Sequence, residues 1–337
     1  MIFTMQRTLF FPLIILFCTL VSLPARADAG FAARPDVRQF IGEMVRTHGF
    51  DNAALTQTMA SVVTQPQIIE SMEKPYEKKT WDIYQQLFLT PERLEGGLAF
   101  WKANRNTLKK AEKEFGVPAS IIVAIIGVET RYGQNQGSYR VLDALATLAF
   151  DYPKRAPFFR KELAEYLQLC REQKVAPGDY LGSYAGAIGK PQFMPSSYRA
   201  FAVDYSGTGK KDLRNDDADV IASIGNYLQK HGWKRGEAIA QPARIRGSAY
   251  KRVATNTRTA EYSTKALARL GIRPTTPPWR HPEKAGLIEL LTSSGEEYWV
   301  GFPNFYVITR YNSSPQYALV VYLLSKQLED GQKRLYG

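Results

Sequence analysis

Residues 116–133 read GVPASIIVAIIGVETRYG, and the reading of this stretch decides the fold. The spacing predicts a helix of about four turns. Val117 and Pro118 set its start, because proline suits a first turn whose N–H groups are unpaired anyway, and Gly133 suits the stop just past the end. Ile122, Ile125 and Ile126 share one face, and Glu129 follows them on the same stripe. Glu129 therefore points inward. A carboxylate on an apolar face loses solvation in its charged form and keeps its proton to higher pH, which is what a general acid requires. A structural Glu paired with an arginine such as Arg131 is the competing reading, and the helix alone leaves both open.

Working outward, the chain has 337 residues, 45% hydrophobic and 23% charged. That is ordinary for a soluble globular protein and ample for a sizeable core, in one large or two to three smaller domains. The N-terminus differs. Arg7 precedes an apolar run from Leu9 to Leu23, broken by Pro12, and Ala25-Arg26-Ala27 offers small residues at cleavage spacing. This reads as a signal peptide over 1–27, cut after Ala27, and predicts a soluble periplasmic protein. A membrane span is the competing reading, but the run is short for one. A lipid anchor on Cys18 is not expected, because Phe17 is bulky where a lipoprotein box wants a small residue.

After cleavage Cys170 is the one cysteine, so no intramolecular disulfide forms and the core must stabilise itself. Loss of Arg7 and Arg26 lowers the net charge from +12 to +10. Such an excess implies acidic partners. Nucleic acid is the usual first guess, yet export favours anionic envelope polymers or lipid surfaces. His48, His231 and His281 lack ligand spacing, which argues against zinc.

The segment 28–115 reads as a helical subdomain, with amphipathic pieces at 37–47, 52–63 and 94–115 and a connection holding Pro66 and Pro75. Thr90-Pro91 marks a helix start. Helices are expected again at 139–150 and 158–170, joined by Asp151-Tyr152-Pro153-Lys154-Arg155, a turn with two cations. Residues 236–303 are proline-rich, with Pro274, Pro277 and Pro278. Their alternating runs at 286–291 and 297–300 flank Ser293-Ser294-Gly295 as a β-hairpin. That predicts a small α+β insertion. Helical patterning resumes at 314–328.

Residues 181–198, LGSYAGAIGKPQFMPSSY, are dense in Gly, Ser and Pro. Such a loop brings backbone amides close to a ligand while its aromatic groups form a wall, although a buried turn between helices has similar composition.

Three segments taken together resemble the lytic transglycosylases of bacterial cell walls, of the membrane-bound lytic murein transglycosylase B family. They are GVETRYG around Glu129, SYAGAIGKPQFMPSSY, and FYVITRYNSSPQYA from Phe305 to Ala318. The resemblance implies a mainly α (α+β) fold. A lysozyme-like helical catalytic core at 116–235 and 304–337 carries the helical subdomain and the 236–303 insertion. It implies peptidoglycan glycan strands and stem peptides as partners, leaves room for other cell-wall enzymes, and implies no nucleic acid, for a monomer. Glu129 corresponds to the catalytic acid/base, Ser183 to the group that hydrogen-bonds its carboxylate, and Gln192 to a substrate contact. Asn312 and Tyr317 match groups lining the cleft opposite, and Tyr227 in IGNYL matches a tyrosine that packs along the site. Lys154 and Arg155 match a basic pair that meets the stem peptide, where two arginines bind a carboxylate better. Thr130 stands where serine is frequent after the catalytic Glu, and Lys190-Pro191 where smaller or aromatic residues are common.

No cofactor is required by this resemblance, but it implies a cation loop with a structural Ca²⁺. Asp204 to Lys210, DYSGTGK, is similar to the first half of an EF-hand: Asp204, Ser206, Thr208 and the Lys210 carbonyl alternate as oxygen donors, and Asp219 or Asp212 closes the set. Serine and threonine replace carboxylates at the third and fifth positions, and Asn215 stands at the twelfth. Fewer charges mean weaker binding.

Ordinary glycosidases use two carboxylates. In peptidoglycan the N-acetylmuramic acid ring carries its own C6 hydroxyl nucleophile and its own acetamido group, so one acid suffices. The expected reaction is cleavage of the β-1,4 bond with formation of a 1,6-anhydromuramyl end. A hydrolytic muramidase needs a second carboxylate across the cleft, for which the sequence offers no clear candidate. A non-catalytic wall-binding scaffold keeps the cleft without needing Glu129.

Overall fold

The computed structural model describes residues 30–73, 79–276 and 282–336. The expected leader with Cys18, together with Pro75, Pro277, Pro278 and His281, lies outside the described residues.

The N-terminal part is helical: α1 (Pro35–His48), α2 (Asn52–Ala60), α3 (Pro66–Glu73), α4 (Trp81–Gln86), α5 (Pro91–Ala103) and α6 (Arg105–Phe115). Local chemistry sets their ends. Asp51 and Thr90 accept from the backbone N–H three residues on, prolines open α1, α3 and α5, and Gly49 and Gly116 close α1 and α6 in the left-handed conformation. Two expectations are corrected. The connection around Pro66 contains helices α3 and α4. The piece expected at 94–115 is two helices, because Asn104 leaves helical geometry and its side chain caps Phe100 O at 3.1 Å and reaches Asp217 at 3.1 Å.

The central helix α7 (Ala119–Thr130) packs against α5, α6 and two later helices, α11 (Asp217–Lys230) and α14 (Pro315–Tyr336). Being covered on every side explains why it is apolar all round rather than on one stripe. Between them come α8 (Val141–Asp151), α9 (Ala156–Gln173) and α10 (Pro195–Phe201). Two-residue strands β1 (Tyr139–Arg140) and β2 (Leu181–Gly182) pair antiparallel, tying the start of α8 to the loop after residue 182.

After Trp233 the chain enters a five-stranded antiparallel sheet. Its strands are β3 (Ala240–Ile245), β4 (Tyr262–Ser263), β5 (Ile272–Pro274), β6 (Lys284–Thr292) and β7 (Gly295–Gly301), in the order β4-β6-β7-β3-β5, with α12 (Thr264–Arg269) between β4 and β5. The β6–β7 hairpin turns at Ser293-Ser294, with Leu287 opposite Val300. A second, smaller core of Val253, Leu267, Ile272, Ala285, Leu287, Val300 and Phe302 lies under this sheet. Helix α13 (Pro303–Ile308) leads into α14 and returns the chain to the main core. The hairpin tip also meets the N-terminal part, where Ser293 donates from its amide and its hydroxyl to the Asp82 carboxylate at 3.2 and 2.7 Å. Among the described residues no helix is long and apolar enough to cross a membrane.

Candidate active site

Helix α7 departs from expectation at both ends. Pro118 is its N-cap in extended geometry rather than part of the first turn, and the helix stops at Thr130, before Gly133. Arg131 and Tyr132 take the left-handed conformation (φ 49° and 62°), which ordinary residues adopt only when surroundings impose it. The imposing contacts are visible. Arg131 and Tyr132 donate backbone N–H groups to Gly127 O and Ile126 O, and the Tyr132 ring lies against Gly96, Gly97 and Gly127 with its hydroxyl donating to Arg93 O at 2.7 Å. A Cβ on Gly127 would stand 2.4 Å from the Tyr132 hydroxyl.

Every residue of α7 is buried except Glu129, which is half-buried. Its carboxylate is thus the part of the helix that reaches the surface of the core. Tyr317, 3% exposed on α14, donates its hydroxyl to Glu129 Oε1 at 2.6 Å, a length typical of a charge-assisted bond. Burial, then the Glu129 charge, push the Tyr317 and Tyr311 hydroxyls well above the usual tyrosine value. Both remain protonated donors at any working pH. Tyr311 lies parallel to Tyr317 at 6.4 Å and donates to Pro191 O at 2.5 Å. Arg131 is exposed.

The loop after β2 is built from short backbone bonds. Ser183 Oγ accepts from the amides of Ala185 (3.3 Å) and Ala187 (3.1 Å), which fixes the oxygen and leaves the hydroxyl proton as the donor. Ile188 and Phe193 exchange two backbone bonds, and between them Gln192 sits at φ 51°. The Gln192 amide nitrogen donates to Gly189 O at 2.9 Å and Gln136 O at 3.2 Å, so its nitrogen holds the loop and its oxygen is the free contact group. Lys190-Pro191 is well anchored: Thr130 Oγ1 reaches Lys190 O at 2.9 Å, the Lys190 amide meets Leu213 O at 2.8 Å, and its ammonium pairs with Asp217. The hydroxyl kept by Thr130 therefore ties α7 to this loop. Glycine is required at 189, where a Cβ would stand 2.3 Å from Leu213 O.

Beside these residues a cleft of about 680 Å³ is lined by Tyr152, Arg155, Tyr184, Glu289, Asn312 and Gln316, among others. Asn312 accepts from Ser314 N at 3.0 Å. Arg155 lies over the Phe158 ring at 4.4 Å, a cation–π contact that holds the guanidinium at the cleft wall. Lys154 is mostly exposed and bonds Glu73 at 2.5 Å, a partner that raises its pKa. Tyr227 stands behind the site, donating to Arg310 O at 2.6 Å and packing on Phe193, Phe201, His231 and Tyr311. Burial pushes its hydroxyl up to about 12.

Sequence reading missed Tyr311, although it adjoins Asn312 in a quoted segment. It also missed Glu289, whose oxygens accept from Thr255 at 2.9 Å and Tyr298 at 3.3 Å. Nothing in the alternation of β6 distinguishes Glu289 from a surface residue.

The Asp204 loop is a turn closed by its own hydrogen bonds. The Asp204 carboxylate accepts from Thr208 N (3.0 Å) and Gly209 N (2.7 Å), with Gly209 left-handed at φ 82°. The donor set is poor in charge. Ser206 Oγ turns to Asp219 at 3.3 Å and Thr208 Oγ1 to Lys210 O at 3.2 Å. Asp219, fully buried, accepts from the amides of Tyr205, Ser206 and Asp212. Among the described residues no three acidic, histidine or cysteine side chains converge as a metal cluster. The residues fit a weak calcium loop, held together by hydrogen bonds of its own.

Comparisons with known proteins agree with this geometry. Residues 32–326 match the transglycosylase SLT domain family. The chain is 40% identical over 306 residues to membrane-bound lytic murein transglycosylase B of Escherichia coli K12, covering 88% of this chain and 83% of that protein. The crystal structure of the soluble lytic transglycosylase SltB1 from Pseudomonas aeruginosa superposes with a TM-score of 0.82 at 44% identity, covering 89% of this chain and all of that one. The Escherichia coli lytic transglycosylase Slt35, solved in complex with calcium, gives 0.81 at 40% identity, covering 90% and 96%. With an ionisable carboxyl at the end of a buried helix and the SLT domain matched across most of its length, the chain belongs to the lytic murein transglycosylases, with their lysozyme-like, mainly helical fold.

Proposed function

We propose that Glu129 alone carries the proton transfers of this peptidoglycan lytic transglycosylase. Glu129 protonates the β-1,4 oxygen between N-acetylmuramic acid and N-acetylglucosamine as the C1–O bond breaks, and the substrate's acetamido carbonyl stabilises the cationic centre. The ionised Glu129 then takes the proton of the C6 hydroxyl as that oxygen closes on C1, leaving a 1,6-anhydromuramyl end. The observation that carries this reading is the 2.6 Å bond from Tyr317 to Glu129 Oε1, on a carboxylate that alone emerges from a buried helix. It orients the carboxyl without competing for its proton. Glu289 is the carboxylate that a hydrolytic route would need, but both its oxygens are engaged, by the hydroxyl groups of Thr255 and Tyr298.

The test is product analysis on purified sacculi. Wild type is expected to release anhydromuropeptides, lighter by one water than hydrolysed ones, and Glu129→Gln to fold normally while turnover falls by about two to four powers of ten. Equal rates at equal folded concentration would place the acid elsewhere, and hydrated ends would turn the reading toward Glu289.

Around that centre, Ser183 directs its hydroxyl proton to the carboxylate, the Gln192 oxygen and Asn312 shape the sugar path, and Tyr227 packs along the site from behind. Arg155 meets the stem peptide more firmly than Lys154, which Glu73 already holds. A divalent cation at the Asp204 loop, held by Asp204, Ser206, Thr208 and the Lys210 carbonyl, would order that loop and take no part in chemistry. We infer that the chain works as a monomer in the periplasm after cleavage behind Ala27, with 28–115, the discontinuous catalytic core and 236–303 as its parts. Recovery of a mature N-terminus carrying lipid on Cys18 would overturn the soluble form.

A further inference from the structure

Arg93, in the first turn of α5, is 7% exposed, and among the described residues no carboxylate lies within ion-pair distance of it. Its guanidinium bonds main-chain carbonyls instead. Nε donates to Gly127 O at 3.0 Å, and Nη1 donates to Leu87 O at 2.8 Å and to Phe88 O at 2.9 Å. The Phe88 ring lies against it at 5.1 Å. Burial, and then the neighbouring Arg131 charge, lower its pKa, as befits a cation held out of water without a counter-charge. A buried charge of this kind is costly, so what it holds is informative.

It holds two separate segments together. Leu87 and Phe88 follow α4, and Lys79 and Thr80, just ahead of that helix, line the cleft. Gly127 belongs to the last turn of α7, two residues before Glu129. Its carbonyl also accepts from Arg131 N, the first of the two left-handed residues that end the helix. Positive charge is favourable at such a C-terminal turn, where the carbonyls of the helix point. The grip is reciprocal, because the carbonyl of Arg93 itself accepts the Tyr132 hydroxyl at 2.7 Å. Side chain and backbone of one residue thus fix the turn that presents Glu129. The carboxylate in turn meets Tyr317 of α14 at 2.6 Å, a bond that tolerates little displacement of the turn. A planar fork offers donors in different directions at fixed spacing, which a single ammonium does not reproduce.

We propose that Arg93 is the positioning residue for Glu129. It locks the last turn of α7 to the 87–88 segment and so sets where the carboxyl stands relative to the bond to be cleaved. Arg93 does not line the cleft, so it acts through the helix and not on the strand.

The inference rests on Glu129 being the acid, and the experiment keeps the two apart. Arg93→Met and Arg93→Lys are compared with wild type and with Met44→Ala, a buried position on α1 that serves as a control for lost stability alone. Release of anhydromuropeptides from sacculi is measured at a temperature where circular dichroism shows each variant folded. Arg93→Met is expected to lose about ten- to a hundredfold in kcat with KM unchanged, the scale of a misplaced reacting group, and Arg93→Lys to recover part of that loss. Met44→Ala is expected to melt earlier and keep its kcat. On a Glu129→Gln background Arg93→Met is expected to cost nothing further, because groups that act as a unit are not additive. A wild-type kcat for folded Arg93→Met would overturn the proposal. So would a loss carried by KM, an equal kcat loss in Met44→Ala, or a full further loss on top of Glu129→Gln. Should Arg93→Met fail to fold, Arg93→Lys decides: a reduced kcat at unchanged KM supports the role, and a kcat equal to wild type overturns it. Wild-type turnover by Glu129→Gln alone would instead remove the reading on which the inference rests.

Discussion

Tyr317 and Glu129 come from helices 188 positions apart in sequence and meet at 2.6 Å. The bond is worth more than a neutral one because its acceptor is charged when the acid has given up its proton. Tyr317→Phe keeps the ring that stacks on Tyr311 and removes the donor alone. It is expected to lower kcat by about ten- to a hundredfold with little change in KM, as steady-state release of anhydromuropeptides will show. At this scale the sequence disclosed the helix and its closing carboxylate, but not its direction: α7 is apolar all round, and Glu129 emerges from the core where one apolar stripe was expected to carry it inward. It did not disclose which donor holds it, because a hydroxyl supplied by another helix has no local signature. Glu289 escaped for the same reason: its place beside the cleft depends on where the whole hairpin folds.

The elements were legible where local rules agree and illegible where distant contacts override them. Proline and glycine boundaries, the β6–β7 hairpin and the amphipathic helices follow from short-range chemistry. The end of α7 does not, for it is set by Tyr132 lying against glycines that α5 contributes. That packing gives a sharp test. Alanine normally favours a helix by about 1 kcal/mol over glycine, yet at Gly127 a Cβ would meet the Tyr132 hydroxyl at 2.4 Å. Gly127→Ala is therefore expected to destabilise by about 1–3 kcal/mol in urea unfolding, the usual cost of overpacking, despite its better propensity. The Asp204 loop offers a test of the opposite kind, because its turn is closed while its charges are few. Millimolar calcium is expected to stabilise wild type by about 0.4–1.4 kcal/mol over chelator, as for a weak site, and to leave Asp204→Ala unchanged. Identical melting curves with calcium and with chelator would leave only the hydrogen-bonded turn.

For the whole molecule, burial of phenolic groups sets an alkaline limit. Burial pushes Tyr180, Tyr227 and Tyr306 up to about 12, and Cys170 likewise to about 12. In the unfolded chain tyrosine ionises near pH 10 and cysteine near 8.5. Above those values the unfolded state sheds protons that the native state keeps. It then binds fewer protons, so stability is fully present below about pH 8.5 and falls as pH rises toward the native values. Unfolding free energy measured by urea is expected to decline steeply above pH 10. Tyrosinate absorbance from these residues should appear together with loss of helical circular dichroism rather than before it. A cysteine held in this way should also resist alkylation at neutral pH until the chain unfolds.

The complete enclosure of α7 has a consequence for time rather than for energy. An amide with no exposed face exchanges its hydrogen with solvent only when the surrounding structure opens, and here that structure comprises four other helices. The amides from Ile122 to Val128 are expected to be among the slowest in the molecule to take up deuterium, at rates set by global opening. The Glu129 carboxyl thus stands on the last segment to come apart. Partial loosening of the periphery leaves it in register, and inactivation by heat or denaturant should follow the same time course as the disappearance of the native fold.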